Sequence, residues 1–344
     1  VRSALEEVYV VLHLLDASQP WGGGEEYLFE LLDPIRPAVV GVLTKIDLVK
    51  AKGDLLPLIE RYGARRSDTP IVPISALKGD GLMGLMGELF DRLPEEKQEL
   101  LLRDTLEGLE EEVEEDTGVK VRFPLDEKGA DILLVTPSAD FFAEPHVDGL
   151  IGYGKVFHEA GVSWTMSSKA SEAANFGMFI GSYENMRKVS MRIREAALEL
   201  GVKRIVFGEC GHAWRVAYSF LNTLAGPFDF LDPKYPVPQH ILEFTWGEIQ
   251  KGTLKIDKSA NDDMVVTYHD SCNVARASRM GNEPGGQFKI PRNVIKAVCN
   301  HFVDMAPETI HENTFCCGAS IDLLLVGIDT DTVIDNLLQR VAVP

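Results

Sequence analysis

Short apolar runs alternate with amphipathic stretches along the first 97 residues. Three of the runs have the length and continuity of buried parallel strands: VYVVLHLLD (8–16), PAVVGVLTK (37–45) and PIVPISA (70–76). The stretches 25–32, 55–63 and 82–94 repeat their apolar residues at helical spacing. This alternation predicts an α/β segment with a parallel sheet in residues 1–97.

A second α/β segment is predicted over residues 120–344, after an acidic helical linker at 98–119. Its predicted strands are 130–138, 202–210 and 263–272. A long helix is predicted at 182–201, ended by Gly201, and another is predicted to begin at Pro291. The fold class is therefore α/β, with two three-layer units.

Composition narrows the classes of function. The chain has 344 residues, 45% hydrophobic content and a formal net charge of −19, which disfavours nucleic acid and anionic membranes as partners. No apolar run is long enough to insert into a bilayer, and no export signal opens the sequence, so we expect a cytoplasmic protein. In a reducing compartment, clustered cysteines favour metal or redox chemistry.

Two motifs in the first segment lie at the ends of predicted strands. LTKIDL (43–48) and ISALKGDG (74–81), together with LLDASQP (14–20), resemble guanine-reading and neighbouring motifs of the Era family of GTPases. The resemblance implies a partial P-loop GTPase-like sheet. It also implies that Asp47 accepts hydrogen bonds from guanine, that Lys45 lies along the ring and that the Ala76 N–H meets the guanine carbonyl.

The phosphate-binding part of such a site is absent from this sequence. No G-x-x-x-x-G-K-S/T loop occurs, and that loop supplies the N–H groups, lysine and hydroxyl that hold phosphates and Mg²⁺. We therefore expect little GTP binding, no GTP hydrolysis, and a structural remnant in 1–97. The run at 8–15 would then lose its inner neighbour and become an apolar edge. A guanine-nucleotide-binding or protein-interaction module remains the alternative function.

The second segment contains all five cysteines: Cys210, Cys272, Cys299, Cys316 and Cys317. Cys210 and Cys272 directly follow predicted strands, so a parallel sheet would deliver both to one edge. Each also precedes a predicted helix start, where free N–H groups favour a thiolate.

Cys316 and Cys317 are adjacent and are followed by Gly318. In a tight turn, adjacent cysteines can reach neighbouring irons of one cluster, and the glycine lets the backbone pass close by. Zinc sites usually carry C-x-x-C spacing, which is absent here. From spacing alone, a metal cluster, inert buried cysteines, and zinc or a disulfide all remain open.

The sequence around these cysteines resembles that of a known domain. TYHDSCNVARAS, GQFKIPRNVIKAV and ENTFCCGAS resemble the CCG (cysteine-rich) domain of heterodisulfide reductase subunits, including the Dsr-type K subunit, over about residues 120–320. The resemblance implies a Rossmann-like domain and a [4Fe–4S] cluster that reduces a disulfide or trisulfide in sulfur metabolism. Cys210, Cys272, Cys316 and Cys317 match motif cysteines, whereas Cys299 is equally a ligand or a core residue.

The same resemblance implies partners: a small protein carrying a thiol or disulfide, and membrane redox subunits. His212 and His269 lie near motif cysteines and are candidate proton donors, with hydrogen-bonded structural roles as the alternative. The sequence departs from the family in lacking ferredoxin-like cysteine motifs and a glycine-rich stretch after Cys317. An inactive fused fragment is therefore a further interpretation.

Overall fold

Two parallel sheets organise the chain in the computed structural model. It describes residue 5 and residues 8–315, except 36, 68, 91, 138, 143–145, 175–176, 179–181 and 209. The described residues divide into two compact units between Gln98 and Glu99. The mixed α/β class with parallel sheets is confirmed.

The first unit contains a three-stranded sheet in the order β1-β2-β3, with every pair parallel. The strands are β1 (Val10–Asp16), β2 (Ala38–Thr44) and β3 (Ile71–Pro73), and the helices are α1 (Gly23–Leu32), α2 (Leu55–Arg65) and α3 (Leu82–Phe90). β2 is buried on both faces, whereas β1 alternates between buried and exposed residues. The predicted strands are therefore present, each shorter than its apolar run.

The helix α4 (Glu95–Thr117) lies where the sequence predicts an acidic linker. It is amphipathic: Leu102, Leu106, Leu109 and Val113 are buried, and their spacing places them along one stripe of the helix. The glutamates at positions 107, 111, 112, 114 and 115 are exposed. Packing of this stripe, rather than helix propensity alone, stabilises a helix so rich in like charges.

The second unit contains a four-stranded parallel sheet in the order β5-β4-β6-β7. The strands are β4 (Ile132–Val135), β5 (Trp164–Thr165), β6 (Arg204–Phe207) and β7 (Gln239–His240). The chain adds β5 on one side of β4 and then β6 on the other. This reversal creates a topological switch point between β4 and β6, the place where open α/β sheets usually bind ligands.

The helices of this unit follow its strands. They are α5 (Ala139–Phe142), α6 (His146–Glu159), α7 (Tyr183–Leu200), α8 (Gly211–Ser219), α9 (Leu221–Ala225), α10 (Ile241–Lys251), α11 (Cys272–Ala277) and α12 (Gly286–Val298). Gly201 ends α7 in the left-handed conformation, with a φ of 67°, as its position in the sequence predicts.

Two predicted elements are wrong. Residues 263–272 form no strand, only a bridge between Val266 and Phe302, because this stretch is held by side-chain hydrogen bonds at its polar end. The predicted start of a helix at Pro291 is also wrong, because α12 begins at Gly286 and contains Pro291. Gly286 permits this earlier start, since a Cβ there would overlap the Met280 carbonyl oxygen.

Candidate metal centre

Cys210 lies at the switch point of the second sheet. β6 ends at Phe207, and Cys210 is the N-cap of α8. The intervening Gly208 packs against the end of β4, since a Cβ on it would lie 3.0 Å from Thr136 Oγ1. The thiol is therefore delivered to the ligand-binding edge of the sheet, beside the positive end of a helix dipole.

Cys272 is the first residue of α11, and α11 packs directly on α8. The turns before the two helices adjoin so closely that a Cβ on Gly211 would overlap Ser271 Oγ. Farther along, Arg215 Nη1 donates a hydrogen bond to Asn273 Oδ1 at 2.9 Å, and Trp214 Nε1 donates to the Arg279 carbonyl at 3.1 Å. Two thiols distant in sequence thus begin neighbouring helices.

The segment that leads to Cys316 is fastened to the same place. Thr314 Oγ1 donates to the Asp270 carbonyl at 2.7 Å, and Arg276 Nη1 donates to the Thr314 carbonyl at 2.8 Å. His269 Nε2 lies 3.0 Å from the Phe315 carbonyl oxygen. The last two described residues, Thr314 and Phe315, are therefore bonded to α11 and to the loop before it. Cys316 and Cys317 themselves are outside the described residues.

A buried ion cluster holds the loop before Cys272. Arg292 of α12 donates two hydrogen bonds to Asp270, at 2.8 and 2.7 Å, and two to Asp304, at 2.6 and 3.0 Å. The side chains of Arg292 and Asp270 are only 7% and 2% exposed. Asp304 has a lowered pKa because the bonds from Arg292 outweigh its partial burial.

Sequence reasoning did not single out Asp270, Arg292 or Asp304. Asp270 and Arg292 lie inside the stretches TYHDSCNVARAS and GQFKIPRNVIKAV, whose resemblance to a known domain was a signal. The sequence did not indicate that these two residues, 22 positions apart, form an ion pair.

Cys299 follows a different helix. It is buried at the C-cap of α12, seven residues beyond Arg292, or about 10 Å along the helix axis. In the ranges that the structure describes, no group of three His, Cys, Asp or Glu side chains is placed to hold a metal ion. The described residues therefore place Cys210 and Cys272 at the starts of neighbouring helices, and Cys299 after the last residue of α12.

The two candidate histidines have different environments. His212 lies in the first turn of α8, and burial, followed by the nearby Arg215 charge, lowers its pKa to about 4. His269 is in contact with the Thr314–Phe315 segment, with its Nε2 also 3.2 Å from Thr314 Oγ1. Both rings therefore lie beside the turns that carry Cys210 and Cys272.

The predicted guanine-reading residues lie at the carboxyl edge of the first sheet. Asp47 Oδ1 accepts a hydrogen bond from Ser75 Oγ at 2.6 Å, which ties together the loops after β2 and β3. The backbone of Lys45 has the left-handed conformation, with a φ of 58°. Its Nζ donates a hydrogen bond to Asp16 Oδ2 at 2.7 Å. That bond is the main reason why the pKa of Asp16 falls to about 2. Ala76 is exposed on the neighbouring loop.

The two units thus define a parallel α/β protein with a cysteine-bearing sheet edge. The chain is similar to iron–sulfur subunits of Hdr-like menaquinol oxidoreductases from two Archaeoglobus species. The chain is 38% identical over 248 residues to the Hdr-like menaquinol oxidoreductase iron-sulfur subunit 2 of Archaeoglobus fulgidus, covering 63% of this chain and 43% of that protein. It is 37% identical over 243 residues to the Hdr-like menaquinol oxidoreductase iron-sulfur subunit of Archaeoglobus profundus, with coverages of 62% and 42%.

These identities confirm the resemblance to heterodisulfide reductase-like subunits. The chain spans less than half the length of these curated relatives. A protein-family model, the catalytic domain of carboxysome shell carbonic anhydrase, matches residues 291–344, a small part of the chain that lies largely beyond the described residues.

Among solved structures, Era provides two matches. They are Aquifex aeolicus Era bound to GDP and AlF₄⁻, and Era in complex with MgGDPNP and part of 16S ribosomal RNA. Each has a TM-score of 0.25 and 20% identity, and covers 48% of this chain and 68% of the Era chain. None of the described helices has the length and apolar character that a membrane span requires.

Proposed function

We propose that this chain is an iron–sulfur component of a heterodisulfide reductase-like oxidoreductase. Its role is to pass electrons to a disulfide or trisulfide. The observation that carries the proposal is the convergence on α11: Cys210 and Cys272 begin adjoining helices, and Thr314–Phe315 is bonded to the same helix and its preceding loop. Cys316 and Cys317 follow Phe315 directly in the sequence.

The donor set fits a cluster rather than an oxygen-ligated metal. Thiolates are the ligands of iron–sulfur clusters, and the helix N-termini at Cys210 and Cys272 favour the thiolate form. We assign Cys210, Cys272, Cys316 and Cys317 as ligands of a [4Fe–4S] cluster, and Cys299 as a packing residue. When bound, such a cluster supplies electrons one at a time to a reaction that needs two.

The chain's own side chains shape the site around the thiols. Arg292 and Asp270 fix the loop before Cys272, and Gly211 lets the two cysteine-bearing turns approach. His269 and His212 flank these turns. His269 is the candidate for delivering a proton to a leaving thiolate, because the lowered pKa of His212 leaves its ring neutral at neutral pH.

The setting of this activity is part of the proposal. The similar proteins are subunits of oxidoreductases, and no ferredoxin-like cysteine motif occurs in this sequence, so we propose that electrons reach the site from another protein. We assign that role to membrane redox subunits, and the role of substrate to a small cytoplasmic protein carrying a disulfide used in sulfur metabolism.

Anaerobic reconstitution with iron and sulfide tests the proposal. The wild-type chain is expected to take up iron and sulfide and to give the absorbance and EPR signals of a cluster. Cys272→Ser and the double variant Cys316→Ser/Cys317→Ser should lose most of that iron, and Cys210→Ser should lose part of it. Cys299→Ser is the matched control and should keep it.

Wild-type protein that stays iron-free, or iron uptake that survives the Cys316/Cys317 double substitution, contradicts the proposal. The alternative function, guanine-nucleotide binding through Asp47 and Lys45, is tested separately by calorimetry with GTP. Sub-millimolar binding that is lost in Asp47→Ala would favour it.

A further inference from the structure

A cavity in the second unit lies apart from the cysteine-bearing turns. It has a volume of about 400 Å³ and is walled by the end of α4, by α6, by α10 and by residues 254–256. Sites for small molecules usually fall between roughly 300 and 1,000 Å³, so this cavity is large enough for a compact ligand.

The walls of the cavity are aliphatic. Seven lining residues are Val, Leu or Ile, including Val121, Val156 and Ile249, and no Phe, Tyr or Trp lines it. A flat ring would find no aromatic face on which to stack, whereas a flexible hydrocarbon chain gains from burial against such walls. Val119 and Ile256, at the cavity, are 43% and 37% exposed, which leaves apolar surface for a ligand to cover.

The rim of the cavity carries more positive than negative charge. Lys155 and Lys255 line it together with Glu159, and His158 adds a polar ring. Lys255 Nζ lies 3.3 Å from Glu159 Oε1, with the lysine side chain 91% exposed. Glu159 balances one of the two lysine charges, so one positive charge remains at the rim. The positive charge of this rim contrasts with the formal net charge of the whole chain, which is −19.

We propose that this cavity binds a free medium-chain carboxylate. The hydrocarbon tail packs against Val121, Val156 and Ile249, and the carboxylate lies at the rim near Lys155 and Lys255. The inference is independent of the iron–sulfur function, because every residue it uses lies away from Cys210 and Cys272 in sequence and on other elements.

Isothermal titration of the full chain with decanoate, below its micelle concentration, tests the site. We expect saturable binding to one site, with decyltrimethylammonium binding more weakly because its charge is reversed. Lys155→Glu and Lys255→Glu should each weaken decanoate binding about five- to tenfold. Ile249→Trp should abolish it by filling the cavity.

Lys289→Glu is the matched control, because it makes the same charge change at an exposed lysine beside a different cavity. Its decanoate affinity should equal that of the wild type, and circular dichroism melts should show that every variant is folded. Decanoate affinity unchanged in Ile249→Trp, or lowered equally by Lys289→Glu, overturns the proposal. So does binding seen only with phospholipid vesicles, which would indicate a membrane surface instead.

Discussion

Arg292 is a buried cation whose charge is balanced from two sides. Asp270 and Asp304 both bond it, and the Phe288 carbonyl accepts a further bond from Nη1 at 3.1 Å. Asp270 also accepts the His311 N–H at 2.8 Å. One guanidinium thus fixes the loop before Cys272 and the stretch that approaches Cys316.

Arg292→Met should reduce the free energy of unfolding by about 3–5 kcal/mol, because it leaves Asp270 buried without its counter-charge. Urea denaturation at neutral pH measures this change. Arg187→Met is the matched control, since Arg187 is exposed on α7, and we expect it to change stability by less than about 0.5 kcal/mol. Equal losses in the two variants would show that Arg292 has no special role.

His13 is a second buried polar residue, in the core of the first unit. It is 3% exposed, with Nδ1 3.1 Å from Tyr62 Oη and its ring 4.9 Å from that of Phe29. Burial, with a smaller contribution from the Arg66 charge, lowers its pKa from 6.5 to about 4. The folded state therefore holds the neutral imidazole.

This pKa predicts a loss of stability in mild acid. Between pH 6.5 and about 4, the unfolded chain binds a proton that the folded chain does not, so stability falls as the pH falls. The full difference is roughly 3 kcal/mol. Hydrogen exchange of β1 and β2 amides at pH 7 and pH 4.5 should show this fall in the wild type.

His13→Gln should remove most of that pH dependence while lowering stability at pH 7. The Asp16 carboxyl, with its pKa near 2, acts only below this window. The same pH dependence in wild type and variant would exclude His13 as its source.

At the scale of elements, the contact between α8 and α11 determines whether the two thiols approach. Gly211 begins α8 opposite Ser271, and Val274 of α11 lies 3.3 Å from where a Cβ on Gly211 would be. The absence of a side chain at Gly211 is therefore a packing requirement, because larger residues would separate the helices.

Gly211→Ala should cost about 1–3 kcal/mol by overpacking and should reduce iron uptake in reconstitution. Ser271→Ala removes the overlapping oxygen, so the double variant should regain both stability and iron. Gly152→Ala in α6 is the control, since nothing lies within 4 Å of a Cβ there and it should be neutral or stabilising. Failure of Ser271→Ala to rescue would refute the steric explanation.

At the scale of the whole molecule, apolar periodicity predicted the sheets well. β1, β2, β4 and β6 are strands buried on one or both faces, and continuous apolar runs specify such strands. The prediction of a strand at residues 263–272 failed because Val265 is apolar but exposed, and Asp270 is polar but buried. Its environment is set by Arg292, which no local pattern indicates.

The sequence predicted one part of the candidate site, the position of Cys210, better than the other, the position of Cys272. Strand ends followed by helix starts indicated where Cys210 would lie, because parallel sheets place those ends along one edge. Cys272 reaches the site without a preceding strand, through the ion pair of Asp270 and the packing of α11 on α8. Tertiary contacts of that kind follow from the folded backbone and not from spacing.

β1 has consequences for how the protein behaves in concentrated solution. In the described part of the chain, it pairs with β2 on one side only, and Leu12 and Leu14 are 39% and 57% exposed. A net charge of −19 keeps molecules apart at low ionic strength, and added salt shortens the range of that repulsion to about 10 Å at 0.1 M. Turbidity should therefore grow with salt as well as with protein concentration, so dilute, low-salt buffers will yield the clearest preparations.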